Sequence, residues 1–335
     1  MDYDALLITS FGGPESPVEV MPFLENVLRG KNVPRERMLE VAEHYYLYGG
    51  KSPINDQNRR LIAALEAELA RYGPQLPIYW GNRNWHPLLP DTLQQMKNDG
   101  VRRALAFVTS AYSSYSGCRQ YRENIARARE AVGMGAPVVD KLRVFFNHPG
   151  FIEALADRVR QALMTLPEDK PARIVYTAHS IPDAMARGCD YEVQLRETGR
   201  LVAEELGRAD WQLVYQSRSG PASQPWLEPD ILDYLCAYRA CGNDAAVVIA
   251  PIGFISDHME VLFDLDTQAR ELCGELGIVM ARAETVGTHP RFIRMIRELI
   301  CERLDETQSR PSLGAMGVRP DFCPADCCLV PARPL

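Results

Sequence analysis

The chain has 335 residues, 46% of them hydrophobic and 24% charged, with 37 basic against 44 acidic side chains and a formal net charge of −7. That composition is ordinary for a globular protein long enough for two domains. The acidic balance argues against nucleic acid as the main partner, because phosphate binding needs concentrated Lys and Arg. The opening MDYDALLITS lacks the basic and then apolar pattern of a secretory signal. The longest apolar stretch, Ala245 to Ile255, contains Pro251 and Gly253 and falls short of the roughly 20 residues that span a bilayer. Nine scattered cysteines suit a reducing compartment better than a disulfide framework. The expectation is a cytoplasmic protein without a membrane span.

In chain order, the strand-like DALLITSF leads into the amphipathic VEVMPFLENVLRG, and PIYWGN and RALAFVTSAYSS follow as further strands. The arginines of RQYRENIARARE recur at helical spacing among acids and alanines, the pattern of a solvated helix face. FFNHPG interrupts the pattern near Phe145 to Gly150. A second series then runs ARIVYTAHS, WQLVYQS, AAVVIAPIGF and GIVMARAE, each followed by helical periodicity. Such alternation predicts an α/β fold of two doubly wound domains with parallel sheets. The expected limits are 1–147 for the first domain, 148–308 for the second and 309–335 for a Pro-, Gly- and Cys-rich tail without apolar period. A ligand cleft between the domains is the default expectation.

Absent motifs narrow the chemistry. There is no G-x-x-x-x-G-K-[ST] loop, and the single G-x-G, Gly133 to Gly135, follows a helix and lacks a third glycine, so no nucleotide cofactor is expected. The serines of TAHSIP and SRSGP lack a nucleophile-elbow setting.

Two segments carry the chemistry. In RIVYTAHSIP and VVIAPIGFISDHMEVLFD an apolar, β-branched run stops at ionisable residues: His179 in the first, and His258, Glu260 and Asp264 in the second. The carboxyl ends of strands in an open α/β sheet face the ligand crevice, so an imidazole and two carboxylates are expected to share a cleft. Such a set can hold a divalent metal and accept protons near neutral pH. The competing reading makes His179 a local cap and the acids a solvated stripe. Glu260 and Asp264, four apart, share a helix face. Gln268 ends the acidic row, and His258, two residues before Glu260, is expected to point elsewhere on the helix, either supporting the site residues from behind or serving a structural role.

The strings LLITSFGGP, GGKSPIN, TAHSIP, YQSRSGPASQPWLEPD and VVIAPIGFISDHMEVLFDLD resemble the ferrochelatases, from about Asp4 to Leu304. The resemblance implies two Rossmann-like domains with parallel four-stranded sheets flanking a porphyrin cleft, and insertion of Fe²⁺, as substrate, into a porphyrin in haem biosynthesis. It makes His179 and Glu260 the metal-handling pair and Asp264 their catalytic helper. It further implies porphyrin walls at Phe11 and Trp226 and propionate contacts at Arg29, Lys31, Ser52 and Tyr121, donors suited to carboxylates. SFGGPE, HYYLYGGKSPIN and SAYSSYSGCRQY are similar to the branch that acts on coproporphyrin III. Protoporphyrin IX is the alternative substrate, and a non-catalytic porphyrin or haem carrier the alternative class. Phe11 stands where some relatives have a tyrosine able to ligate product iron. The implied partners are the porphyrin, Fe²⁺ and a transient contact between this monomer and the next enzyme of the pathway.

Cys323, Cys327 and Cys328 fall within six positions of the tail, a density that suggests a soft-metal centre. The resemblance implies a two-iron two-sulfur cluster (2Fe-2S) held by these three and Cys118; zinc is the chemical alternative, and three incidental thiols the bland one. The other five cysteines read as small packing residues.

Overall fold

The computed structural model describes residues 3–31, 33–221 and 223–330. Among these residues eight strands form two sheets of four. The first contains β1 (Ala5–Ser10), β2 (Ile78–Asn82), β3 (Arg103–Val108) and β4 (Val138–Lys141) in the order β2-β1-β3-β4. The second contains β5 (Ala172–His179), β6 (Trp211–Gln216), β7 (Ala246–Ala250) and β8 (Met280–Arg282) in the order β6-β5-β7-β8. All pairings are parallel. The unbroken apolar runs of the central strands follow from this arrangement, because a parallel sheet is covered on both faces: every residue of β1 and of β7 is buried.

Both sheets reverse strand order at the same point. From the first strand of each, the chain goes to one neighbour and then returns to the other side, so the switch lies between β1 and β3 in one sheet and between β5 and β7 in the other. A crevice opens at the carboxyl ends of the strands at such a switch point. Phe11 follows β1 directly and His179 ends β5.

The chain divides into two compact units that exchange segments. One consists of Met1–Thr109, Gln120–Leu142 and Ile296–Gln308, the other of Ser110–Arg119, Arg143–Met295 and Ser309–Leu335. In the first, Leu7, Leu89, Leu93, Met96, Ala106 and Ile125 pack together, and Arg303 of the helix Pro290–Leu304 donates to the Tyr3 hydroxyl at 2.7 Å. In the second, Val175, Val214, Val247 and Ile249 of the sheet receive Leu235, Val261 and Leu265. Each such side chain, fully buried, contributes roughly 1.5–3 kcal/mol. Among the described residues no helix is long and apolar enough to cross a membrane.

The described residues after Leu304, 305–330, form neither helix nor strand, in keeping with the lack of apolar period, yet polar contacts fasten them to the second unit. Buried Asn147 donates to the carbonyls of Leu313 and Gly317, both at 3.0 Å, and accepts from Leu313 N–H at 2.9 Å. Arg143 donates to Pro311 O at 3.0 Å, Arg319 pairs with Asp190 at 2.5 Å, and Arg119 reaches Cys327 O at 2.9 Å. Asn147→Ala removes the amide from two half-buried carbonyls. We expect a loss of about 1–3 kcal/mol by denaturant titration, with new proteolytic cleavage after Gln308.

Candidate active site

β5 runs as RIVYTAH between β6 and β7 and ends at His179, which lies in register with Gln216, the last residue of β6. The His179 main chain is held by the Tyr191 hydroxyl, which donates to its carbonyl at 3.0 Å, and by Ser180 N–H, which donates to Gln216 O at 2.8 Å. The ring is held by contact of Nδ1 with Ser180 O, in which Nδ1 carries the hydrogen and donates. This leaves Nε2 as the working atom, 3.5 Å from Glu260 Oε1.

The opposing acids follow β7. After the loop 251–257 the helix begins at Met259 and widens to a π-helix over Leu262–Ala269, a form that recurs at functional sites. Val261, Leu265, Ala269 and Cys273 are buried in the core cluster of this unit. That apolar stripe, repeating every four residues, fixes the neighbouring stripe of Glu260, Asp264 and Gln268. The other acids of the segment are engaged elsewhere: Arg282 of β8 holds Asp257 at 3.2 Å and Asp266 at 2.8 Å.

His258 departs from expectation. It is the N-cap, with extended backbone (φ −150°, ψ −175°), so helical spacing does not govern its direction. Its Nδ1 lies 3.7 Å from Glu260 Oε2, and its ring packs edge-on against Phe254 at 4.6 Å. Two imidazoles thus flank the two oxygens of one carboxylate.

Each titratable group has a different compensation. Burial disfavours charge on His179, but the carboxylate of Glu260, the Ser180 carbonyl and Asp264 outweigh it and push its pKa up to about 9. Burial likewise opposes charge on Glu260, but His179 and then His258 hold it down at about 2. His258 is lowered, chiefly by burial, and stays neutral. Asp264 is raised to about 7 by burial and by the charge of Glu260, against hydrogen bonds from Ser217 and Gln216. His179 is therefore an imidazolium at neutral pH, its charge matched by the Glu260 carboxylate. Glu260 keeps 48% of its side-chain surface exposed, so solvent screens the pair in part. With its folded pKa above the ordinary 6.5, His179 stabilises fully below that value and loses the contribution as pH rises through about 9. Glu260 contributes above 4.5 and loses its share as pH falls toward 2.

Trp226 lies in the loop after β6. It bridges Pro182, and its indole lies over Gly220, where an added Cβ would come within 2.4 Å of Nε1. Leu227 N–H donates to Ile181 O at 3.0 Å, and the Ser180 hydroxyl donates to Leu227 O at 2.8 Å, zipping this loop to the one that follows His179.

The predicted residues of the first unit divide into two groups. Phe11, at the end of β1, packs edge-on to Phe23 at 6.2 Å. Arg83 lies 5.6 Å from the Phe11 ring centroid and 4.6 Å from that of Tyr121, with Nε donating to Asn124 at 2.9 Å. The Lys31 ammonium is lowered by partial desolvation and by the charge of Arg83, although the residue as a whole is exposed. Phe11, Lys31, Tyr121 and Arg83 therefore form one aromatic and cationic neighbourhood. Arg83, which no periodicity marks, is the member that sequence reasoning missed. Arg29 is exposed after the helix Pro17–Val27. Ser52 is buried beneath Gly13, where a Cβ would come within 2.7 Å of it. The GGKSPIN string acts through Asn55, which donates to Gly13 O at 3.1 Å and His86 O at 3.2 Å and so shapes the loop after β1.

Among the cysteines, Sγ of Cys327 and Sγ of Cys328 are 3.4 Å apart. The Cys328 thiol is pushed well up, first by burial and then by Cys327, Cys118 and Cys189. Arg119, next to Cys118, bonds to Cys327 O, and Leu329 O lies 3.8 Å from the Cβ position of Gly188, next to Cys189. Cys189, read from sequence as packing, thus belongs to this neighbourhood. Cys323 is half-buried. Among the described residues no group of three or more His, Cys, Asp or Glu side chains is placed to hold a metal ion.

Comparison with known proteins is consistent with this geometry. The family model described as Ferrochelatase matches residues 3–304. A protein of Rhodopirellula baltica named ferrochelatase is 62% identical, covering 99% of this chain and 95% of its own. One of Streptomyces coelicolor, named coproporphyrin III ferrochelatase, is 50% identical over 99% of this chain and 94% of its own. Among solved structures, SirB from Bacillus subtilis with Fe³⁺ shares the fold at 11% identity and a TM-score of 0.57, over 90% of this chain and 98% of that one.

The ion pair makes a direct prediction. In the metal-free protein, long-range ¹H–¹⁵N NMR is expected to show His179 titrating near 9, and Glu260→Gln to bring it down toward the ordinary 6.5, since burial is then opposed only by the Ser180 carbonyl and Asp264. A wild-type value near 6.5 contradicts the pairing.

Proposed function

The chain belongs to the ferrochelatase family, and we propose that it inserts Fe²⁺ into coproporphyrin III to give iron coproporphyrin III, with His179, Glu260 and Asp264 as the catalytic residues. The observation that carries the reading is the facing of His179 Nε2 and Glu260 at 3.5 Å, backed by a second acid of much higher proton affinity.

Metallation replaces two pyrrole N–H protons by one Fe²⁺, so the site must receive a cation and dispose of two protons. Glu260, held ionised and partly exposed, is a poor base and a good ligand for arriving iron. A cation at this carboxylate would compete with the imidazolium, and His179 would give up its Nε2 proton to solvent at the half-exposed edge of the pair, leaving Nε2 and Asp264 to receive the two pyrrole protons. The freed Nε2 lone pair then serves either to ligate iron or to take a pyrrole proton. Asp264, near 7, is the natural acceptor for a proton moving along the row. Carboxylates whose environments push their pKa values apart divide the labour of ligand and base. The apolar walls contribute by favouring a puckered ring whose lone pairs face the metal.

Arg29, Lys31 and Tyr121, with Arg83 added by the structure, supply the cationic and hydroxyl donors that propionates need, and Phe11 and Trp226 the walls. Several relatives near 50% identity carry the coproporphyrin III name, which supports four propionates over two. A monomer that hands its product transiently to the next enzyme, in the cytoplasm, completes the proposal. Anaerobic absorption spectroscopy with Fe²⁺ and each porphyrin tests it. We expect a higher kcat/KM with coproporphyrin III, and for His179→Ala a loss on the order of 10²-fold or more in kcat with porphyrin binding retained. Preference for protoporphyrin IX reverses the substrate assignment, and tight binding without turnover favours a carrier.

A second part of the proposal concerns Cys118, Cys323, Cys327 and Cys328 as ligands of a two-iron two-sulfur cluster. The donor chemistry suits it: a tail pair of thiols lies beside the segment that carries Cys118. The thiols as placed do not enclose a metal, so the tail has to close around one, and no step of the reaction is routed through it. Cys189 competes with Cys323 for the fourth place, and zinc with the cluster. Anaerobically purified protein is expected to be brown, to bleach on reduction and to contain equal iron and acid-labile sulfide. Colourless protein with zinc, or with no metal, removes the cluster.

A further inference from the structure

We infer that Ser217, assisted by Gln216, is the positioning residue for the second acid of the row, holding the Asp264 carboxylate in the orientation in which it receives protons from the Glu260 side. The inference rests on the chelatase reading above and adds to it two residues outside the catalytic set.

Four observations converge on this pair. Ser217 has φ +62°, one of two non-glycine residues with positive φ among those described. A side chain is disfavoured there and persists only where its surroundings over-determine it, most often at a functional site. The hydroxyl that this backbone presents donates to Asp264 Oδ2. Gln216, fully buried at the end of β6 and in register with His179, directs its amide the same way, donating to Glu260 O at 2.8 Å and to Asp264 Oδ2 at 3.3 Å. One side-chain amide thus bridges the backbone of the first acid and the carboxylate of the second.

The consequence is an asymmetric carboxylate. Both hydrogen bonds to Asp264 end on Oδ2, so that oxygen is occupied and its plane is set, while Oδ1 accepts no hydrogen bond from the described residues. A proton acceptor that is buried needs such orientation, because a carboxylate free to turn spends part of its time with the wrong oxygen in line. The donors also supply the ionised form with bonds that burial withholds. The left-handed backbone at Ser217 brings the hydroxyl to the acid directly from the end of the strand that pairs with His179. Strand register, imidazole and second acid are thereby connected by two consecutive residues.

The variants Ser217→Gly, Ser217→Ala, Asp264→Asn and the double Ser217→Gly/Asp264→Asn test the inference in the full-length protein. Glycine removes the hydroxyl while suiting the positive φ; alanine removes it and keeps the Cβ, and a loss common to both comes from the hydroxyl rather than from the backbone. We expect both to lower kcat on the order of ten- to a hundredfold, the worth of a hydrogen bond to a charged group, with KM for porphyrin unchanged and the melting temperature of the glycine variant not reduced. The double variant is expected to be no slower than Asp264→Asn alone, since the hydroxyl has then lost its carboxylate. Wild-type kcat in the glycine variant overturns the inference, as do multiplicative losses in the double variant or a rise in KM without a fall in kcat. A wild-type protein that inserts no iron into either porphyrin fails at an earlier point and removes the chelatase reading itself.

Discussion

A half-open pocket that collects two carboxylates and two imidazoles has to settle its own charge before it can settle that of a substrate, and the contact between His179 and Glu260 does this. Without the imidazolium, Glu260 would be a desolvated anion beside a second acid, and burial would favour protonating both. With it, Glu260 is ionised and Asp264 is left to carry the uncompensated cost, which appears as its raised proton affinity. The gradient along the row follows from one pairing and does not need a separate device for each acid. The same pairing ties the two groups together, since neutralising either one removes the charge that holds the other in its ionised form.

The two sheets solve the same topological problem with opposite chemistry. Each reverses strand order beside its first strand, and each places a residue of interest where that strand ends, Phe11 on one and His179 on the other. At the first end the neighbours are Tyr121 and Arg83, an apolar and cationic setting. At the second they are carboxylates anchored from behind by Val261 and Leu265. The contrast between the two ends is a consequence of loop chemistry on a shared scaffold.

Much of this is legible from the residues alone because strands of a parallel sheet announce themselves as unbroken apolar runs. ALLITS, RIVYTAH and AVVIA are found as strands, and the ionisable residues that end or follow them are brought together as expected for His179 and Glu260. What sequence does not reveal depends on backbone direction or on distant contact. Helical spacing places His258 in a helix that in fact begins one residue later, so its approach to Glu260 is hidden in the sequence. Arg83 lies on an irregular segment, and its role exists only through rings contributed by positions 11 and 121. The exchange of Ser110–Arg119 and Ile296–Gln308 between the units leaves no periodic trace, since it is decided by contacts such as Ser113 N–H to Gln194 and Arg303 to Tyr3.

The tail follows the same logic at a larger scale. A segment with no apolar period cannot hold itself against the protein by burial, and this one is held by buried polar groups that receive its main chain, Asn147 and Arg143 above all. Such attachments are directional, and each fixes one peptide group and not a surface. They bring Cys327 and Cys328 next to the segment 115–119 and next to Gly188 and Cys189 without the thiols themselves having to attract one another. From Cys189 it is two residues to Tyr191, whose hydroxyl holds the carbonyl of His179. On the other side of the imidazole, Gln216 pairs with His179 in the strand register and donates to Asp264 Oδ2 at 3.3 Å. The His179 ring is thus held from two sides by elements that have no sequence proximity to each other, which is why its geometry is a property of the folded unit and not of the TAHSIP string.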